Sequence, residues 1–173
     1  DLKGKTVSVG DAGSGTEFNA AQIFEAYGMT FDDINKQSLG FTDSADKFKD
    51  GQLDAFFVTA GAPTTCITDL ATSNDFVILS IGETEMQYLK DNYGYYTEYT
   101  LAAGTYDKQT EDATTVAVKA TLIAADDLSE DVVYNVTKGI FENIEAIKAT
   151  HAKGAELSAD SGVQGISVPF HPG

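Results

Sequence analysis

Arginine and tryptophan are absent from this chain, and cysteine occurs once, histidine twice and proline three times. Without arginine there is no planar fork for a carboxylate or phosphate, so anion recognition falls to backbone amides, hydroxyls and lysine. The single thiol, Cys66, excludes an internal disulfide. Between Thr65 and Ile67 on a predicted helix it reads as a small buried apolar group. A thiol nucleophile needs a base, and His151 and His171 lie in a charged helix and a proline-containing tail, with no spacing that ties them to Cys66. The same two histidines give no metal-ligand spacing. Cations are scarce: 11 lysines face 27 acidic residues, for a net charge of −16. That self-repulsion excludes nucleic acid as a partner and disfavours anionic membrane surfaces. No apolar run approaches the roughly 18 residues needed to span a membrane, and no secretory leader pattern is present, as in any processed protein.

What the chain does contain is a strand that breaks at glycine and runs directly into a helix start: Val7-Ser8-Val9-Gly10-Asp11-Ala12-Gly13-Ser14-Gly15-Thr16-Glu17. Unpaired N–H groups in a first helical turn, reinforced by the aligned peptide dipoles, favour an anion in such a loop. Gly13 and Gly15 are expected to let the backbone approach a ligand, while Ser14 and Thr16 add hydroxyl donors. A second reading stands beside this one. Ser14-x-x-Glu17 is also a capping box, in which the helix satisfies its own amides without a ligand. The loop is not a Walker A motif, because Gly15 is followed by Thr16 and Glu17 with no lysine, and it lacks the three-glycine dinucleotide pattern. Glu17 would repel a multiply charged phosphate, which favours a small singly charged acid.

The rest of the chain alternates strand and helix. Strands are predicted over Lys5–Val9, Asn35–Leu39, Leu53–Thr59, Asp75–Ile81 and Thr115–Ala124, with the third buried on both faces of a parallel sheet. Helices are predicted over Thr16–Tyr27, ending at Gly28, and over Thr42–Lys49, ending at Gly51. Pro63 suits the first position of a helix carrying Ile67, Leu70 and Ala71, and Thr84-x-x-Gln87 reads as a second capping box. Tyr93, Tyr95, Tyr96 and Tyr99 cluster around Gly94, either as half-buried packing or as the lining of a ligand cleft. From about Asp131 to Lys148, Val132, Val133, Val136, Ile140, Phe141, Ile144 and Ile147 follow helical spacing over about five turns. Asn135-Val136-Thr137 matches a glycosylation acceptor but falls inside that helix. Successive β–α units imply an α/β fold with a doubly wound parallel sheet. Ligands of such sheets bind beyond the C-terminal ends of the strands. The loops at Gly10–Thr16 and Thr59–Gly61 both lie at such ends and are expected to face one another.

These residues carry a family resemblance. Asp1–Gly10, Gly13-Ser14-Gly15-Thr16, Asp50–Gly61, Thr115–Ala120 and the closing Pro169-Phe170-His171-Pro172-Gly173 resemble the TAXI family of substrate receptors of tripartite (TRAP) transporters, over essentially the whole chain. The resemblance implies a type II periplasmic-binding-protein fold of two α/β lobes, clamping a small carboxylate such as glutamate. It also implies an extracytoplasmic location, TRAP membrane subunits as partners, no cofactor and no catalysis. Its ligand loops fall on Gly13, Ser14, Gly15 and Thr16, and on Thr59, Ala60 and Gly61. Family members carry about a hundred further residues ahead of the region matched, in line with usual lobe sizes. The chain is therefore expected to be a fragment: 1–112 as the second lobe with the ligand loops, and 113–173 as a return hinge strand with the C-terminal helical part of the first lobe. The apolar stripe of the long helix then needs cover, by repacking on the second lobe or by self-association. The other class of function is a small α/β enzyme or regulatory domain that binds a phosphorylated ligand at the glycine loop.

Overall fold

The computed structural model describes residues 1–163 and 165–173, with Ala152 described by its backbone alone. The chain divides into two compact units, one of Asp1–Asn92 with Glu98–Val116 and one of Tyr93–Thr97 with Ala117–Gly173.

The first unit is mixed α/β, with a parallel sheet flanked by helices. Its strands are β1 (Thr6–Ser8), β2 (Asn35–Gln37) and β3 (Ala55–Phe56), in the order β2-β1-β3 with both pairings parallel. Helices α1 (Gly15–Ala26) and α2 (Phe41–Lys49) connect them, and α3 (Thr65–Ser73) and α4 (Glu83–Asn92) follow. The central position of β1 explains its burial: Val7, Ser8 and Val9 are all fully buried. Val7 and Val9 pack with Ala20 and Phe24 of α1 and with Ile34, while the Phe24 ring meets Phe31 edge-on and Phe57 at a tilt, each with centroids 5.7 Å apart. Ser8, which points to the other face, pairs its hydroxyl with that of Ser44 on α2 at 2.8 Å, so a buried polar pair fixes that helix against the sheet. A second cluster joins Ala71 of α3 to Leu101, Tyr106 and Ala113, with Phe76 and Ile78 packed against it.

Several expectations are corrected by the packing. The run Leu53–Thr59 forms only the two-residue β3, and Ala55–Val58 are half-buried, because β3 is an edge strand of a three-stranded sheet. Asp75–Ile81 forms no strand. Ile81 N–H donates to Thr114 O, but Thr114 N–H donates back to the Ser80 hydroxyl, and that side-chain substitution ends the ladder after one backbone bond. Pro63 precedes helix α3 by two residues and does not open it; Thr64 is the cap, with its hydroxyl turned back to Gly61 O. Helix α4 begins at Glu83, so Thr84 lies inside its first turn and Gln87 donates to Asp91 in place of a capping box.

Strands β4 (Tyr96–Leu101) and β5 (Ala113–Val118) pair with each other, and each runs from one unit into the other. The predicted strand over Thr115–Ala124 stops at Val118, leaving Leu122 and Ile123 exposed. In the second unit the long helix is interrupted, giving α5 (Glu130–Glu142) and α6 (Ile144–Thr150), followed by the short α7 (Ala159–Gly162). Asn143 makes the break. Its backbone N–H is shared between Gly139 O and Ile140 O, while its side-chain amide caps Gly139 O at 2.8 Å, a local bond that competes with helix continuation. Helix α5 has no buried residue, and Val132 and Val136 are each 49% exposed.

Truncating the aromatic hub of the first unit, Phe24→Ala, is expected to cost about 3–5 kcal/mol. Exposed Phe18→Ala is expected to stay within about 0.5 kcal/mol. Urea unfolding followed by circular dichroism checks both, and an equal loss in the two variants would contradict the assignment of the core.

Candidate functional site

The loop between β1 and α1 is set by what precedes it. Val9 is buried and donates its N–H to Gln37 O at 3.0 Å, so the chain leaves the sheet at a fixed point and must turn at once. Gly10 makes that turn with φ +96°. A β-carbon there would lie 2.7 Å from Thr16 Cβ, 2.9 Å from Thr16 Cγ2 and 3.0 Å from Ser14 Oγ. Both the left-handed backbone and the close approach therefore require glycine. Gly13 also has positive φ, +76°, but open space around it. Gly15, expected to need the same freedom, is the first residue of α1, with no left-handed φ and nothing near its would-be β-carbon.

Ser14 caps α1: its hydroxyl accepts from Glu17 N–H at 3.1 Å, and its own N–H donates to Asp11 O at 3.0 Å. The Glu17 carboxylate folds back to accept the Gly13 N–H at 2.6 Å and pairs with Lys36 Nζ from β2. The capping reading thus holds for two amides, with Glu17 reaching one residue further back than a standard box. Among the described residues, the N–H groups of Gly15 and Thr16 have no acceptor. The turn leaves both loop glycines, Gly13 and Gly15, exposed, while Thr16 is buried beneath them at 6% exposure.

The second loop leaves the C-terminal end of β3, the parallel neighbour of β1, where Phe57 N–H still donates to Ser8 O. The two loops therefore share one sheet edge. Thr59 reaches α1, its hydroxyl donating to Asn19 Oδ1 at 3.3 Å, and Thr59, Ala60 and Gly61 are all exposed. Gly61 O is taken by the Thr64 hydroxyl at 2.9 Å. Sequence reasoning placed Gly10 in the loop without its role in the turn, and it missed two participants, Asn19 and Lys36. Gly10 carried a readable signal, since it directly follows the buried strand. Asn19 and Lys36 become neighbours of the loops only through helix phase and the parallel register of β2.

Electrostatics follow from these contacts. The Lys36 ammonium, and after it the Gly13 amide, hold the Glu17 carboxyl below the usual carboxylate range. Lys36 also sits 4.5 Å from the centroid of the Phe31 ring. Burial pushes the Cys66 thiol up, which keeps it protonated and unreactive at neutral pH. The histidines are occupied by backbone groups: His151 Nδ1 accepts from Lys153 N–H, while His171 Nδ1 accepts from Gly173 N–H and its Nε2 meets the distant Leu128 O. Among the described residues no cluster of three or more His, Cys, Asp or Glu side chains could hold a metal ion. No helix among them is long and apolar enough to cross a membrane.

Two expectations follow. Gly10→Ala is expected to destabilise by about 2–5 kcal/mol, from left-handed strain plus overpacking against Thr16. Gly13→Ala should lose only about 1–2 kcal/mol, and Gly15→Ala should gain about 0.5–1 kcal/mol. Chemical unfolding of the three variants checks that order. Because the folded pKa of Glu17 lies below its unfolded value, the stability it confers is complete above the unfolded pKa and disappears as pH falls through the folded one. The Gly13 amide resonance should follow this titration, and Lys36→Met should move its midpoint upward; an unmoved midpoint would refute the ion pair.

The model of the NMT1-like family matches residues 1–173, the whole of the chain.

Proposed function

We propose the function from one premise: the chain belongs to the NMT1-like family, a periplasmic-binding-type family related to solute receptors and typically extracytoplasmic. Within that family, our reading is a receptor of the TAXI type that captures a small carboxylate such as glutamate, without chemistry, for TRAP membrane subunits. The observation that carries it is the pair of free amides at Gly15 and Thr16, beside a second polar loop at the same sheet edge. A carboxylate there would accept from those amides and from the Thr16 hydroxyl, or from the Thr59 hydroxyl once it turns away from Asn19 Oδ1, with Gly13, Ser14, Ala60 and Gly61 forming the surrounding backbone. The Glu17 carboxylate in the same turn disfavours the phosphorylated ligand of the alternative reading, since a dianion would meet it at close range. A catalytic role lacks support: Cys66 is held protonated and both histidines serve local turns.

The lobe assignment belongs to the same proposal. Residues 1–112 would supply the second lobe, and 113–173 a return hinge with part of the first. The exposed apolar residues of α5 support this, because a receptor lobe or a second copy of the chain would cover them. Calorimetry with L-glutamate and related acids tests the site. Charge-assisted hydrogen bonds contribute about 1.5–3 kcal/mol each, so Thr16→Ala should weaken binding roughly ten- to a hundredfold. Sedimentation of the same samples reads self-association. Unchanged affinity in Thr16→Ala would mean that Ser14 and Glu17 only cap the helix and that the acid binds elsewhere.

A further inference from the structure

Nine of the eleven lysines are held in ion pairs, as 27 acidic residues on one chain would lead one to expect. Among the described residues Lys47 and Lys119 make none. Lys47 lies half-buried in the last turn of α2, whereas Lys119 lines a pocket of about 260 Å³ within the second unit. The other walls are mostly apolar: Tyr95, Val118, Ile123 and Val168, with the hydroxyl residues Thr121 and Ser167 beside them. Two local features shape this pocket. Tyr95 is braced by the rings of Tyr96 and Tyr93, with centroids 5.0 and 6.0 Å away, so its face is a fixed wall. After β5 ends at Val118, the Thr121 hydroxyl donates to Lys119 O at 3.2 Å and closes a tight turn, which keeps the lysine at the end of the strand.

Lys119, exposed and without an ion-pair partner among the described residues, borders an apolar hollow on a chain of net charge −16. We propose that this pocket binds a small amphipathic monocarboxylate, its carboxylate on Lys119 and its hydrocarbon body against Tyr95, Val118, Ile123 and Val168. Charge complementarity selects the head group. A carboxylate pairs with a lone ammonium while carrying one negative charge, whereas a phosphate monoester would bring a second against a chain of net charge −16. The volume sets the body, since 260 Å³ lies just below the usual range of ligand pockets and suits a small body of about five to eight carbons. Ile123 and Val168 are 81% and 51% exposed, so the hollow is open to solvent and the ion pair is only partly desolvated. Selectivity for the charged head is therefore modest and falls with salt. No residue of the glycine loop lines this pocket, and that loop belongs to the other unit.

Hexanoate, its neutral isostere hexanamide and hexylamine, titrated into the intact chain and followed by amide chemical shifts, test the proposal. Hexanoate should shift the amides of Lys119, Thr121, Gly165 and Ser167 saturably, and should bind about three- to tenfold more tightly than hexanamide at low salt. Hexylamine should bind more weakly than either. Butanoate, with two methylenes fewer, should bind roughly tenfold more weakly than hexanoate. Lys119→Met should abolish the preference for hexanoate over hexanamide while leaving hexanamide binding intact, and Lys47→Met should change neither. Val168→Ser should weaken both probes together. Equal binding of hexanoate and hexanamide, an unaltered preference in Lys119→Met, or no saturable shift in any pocket amide would each overturn it. If hexanoate instead shifts the amides of Gly15 and Thr16 and is lost in Thr16→Ala alone, the acid belongs to the glycine loop and the pocket proposal fails while the receptor reading stands.

Discussion

The first unit depends on the burial of three consecutive residues. Val7 and Ser8 of β1, the central strand of the three, and Val9 just after it form the surface on which α1 and α2 are placed. Helix α1 covers the valines through Ala20 and Phe24, and α2 is pinned on the serine side by a hydroxyl pair that tolerates little displacement. Because the next residue must leave the sheet without a side chain, the position of the glycine loop is a by-product of core packing. Gly10, Ser14 and Thr16 then interlock so closely that the loop has essentially one arrangement. A site built this way is organised before any ligand arrives, which lowers the ordering cost of binding.

The same loop is legible in the sequence because its determinants are local. A buried strand, a glycine at its end and a serine three residues before a glutamate are all read from adjacent positions, and the helix starts one residue from where periodicity puts it. What the sequence hides is any feature that depends on a partner distant in the chain. Lys36 reaches Glu17 because β2 pairs in parallel with β1, and Asn19 reaches Thr59 because α1 lies over the end of β3. Asp75–Ile81 has an acceptable strand pattern, yet Ser80 substitutes its hydroxyl for the backbone in the one place where pairing could continue. Asn143 breaks a helix whose hydrophobic spacing runs straight through the break, since spacing records which face is apolar and not whether a side chain competes with the backbone.

Charge scarcity shapes both candidate sites in different ways. At the glycine loop a lysine is already spent on Glu17, so recognition there is left to amides and hydroxyls, which discriminate by geometry. In the second unit Lys119 remains unpaired and contributes charge but little geometry, which suits a ligand identified by its head group and its apolar length. In the two proposed sites, a chain with no arginine and few lysines would divide anion recognition between these two kinds of donor.

Helix α1 is fastened at the end opposite the loop. Tyr27, just past its last turn, accepts the Gly82 N–H at 2.9 Å, and Glu25 accepts the Tyr88 hydroxyl of α4 at 2.8 Å. Both bonds bring α4 under the control of α1. The helix contains 12 residues without a break, a rod about 18 Å long. One rigid element thus has the glycine loop at its first turn and the fastening of α4 at its last, like an axle seated at both ends.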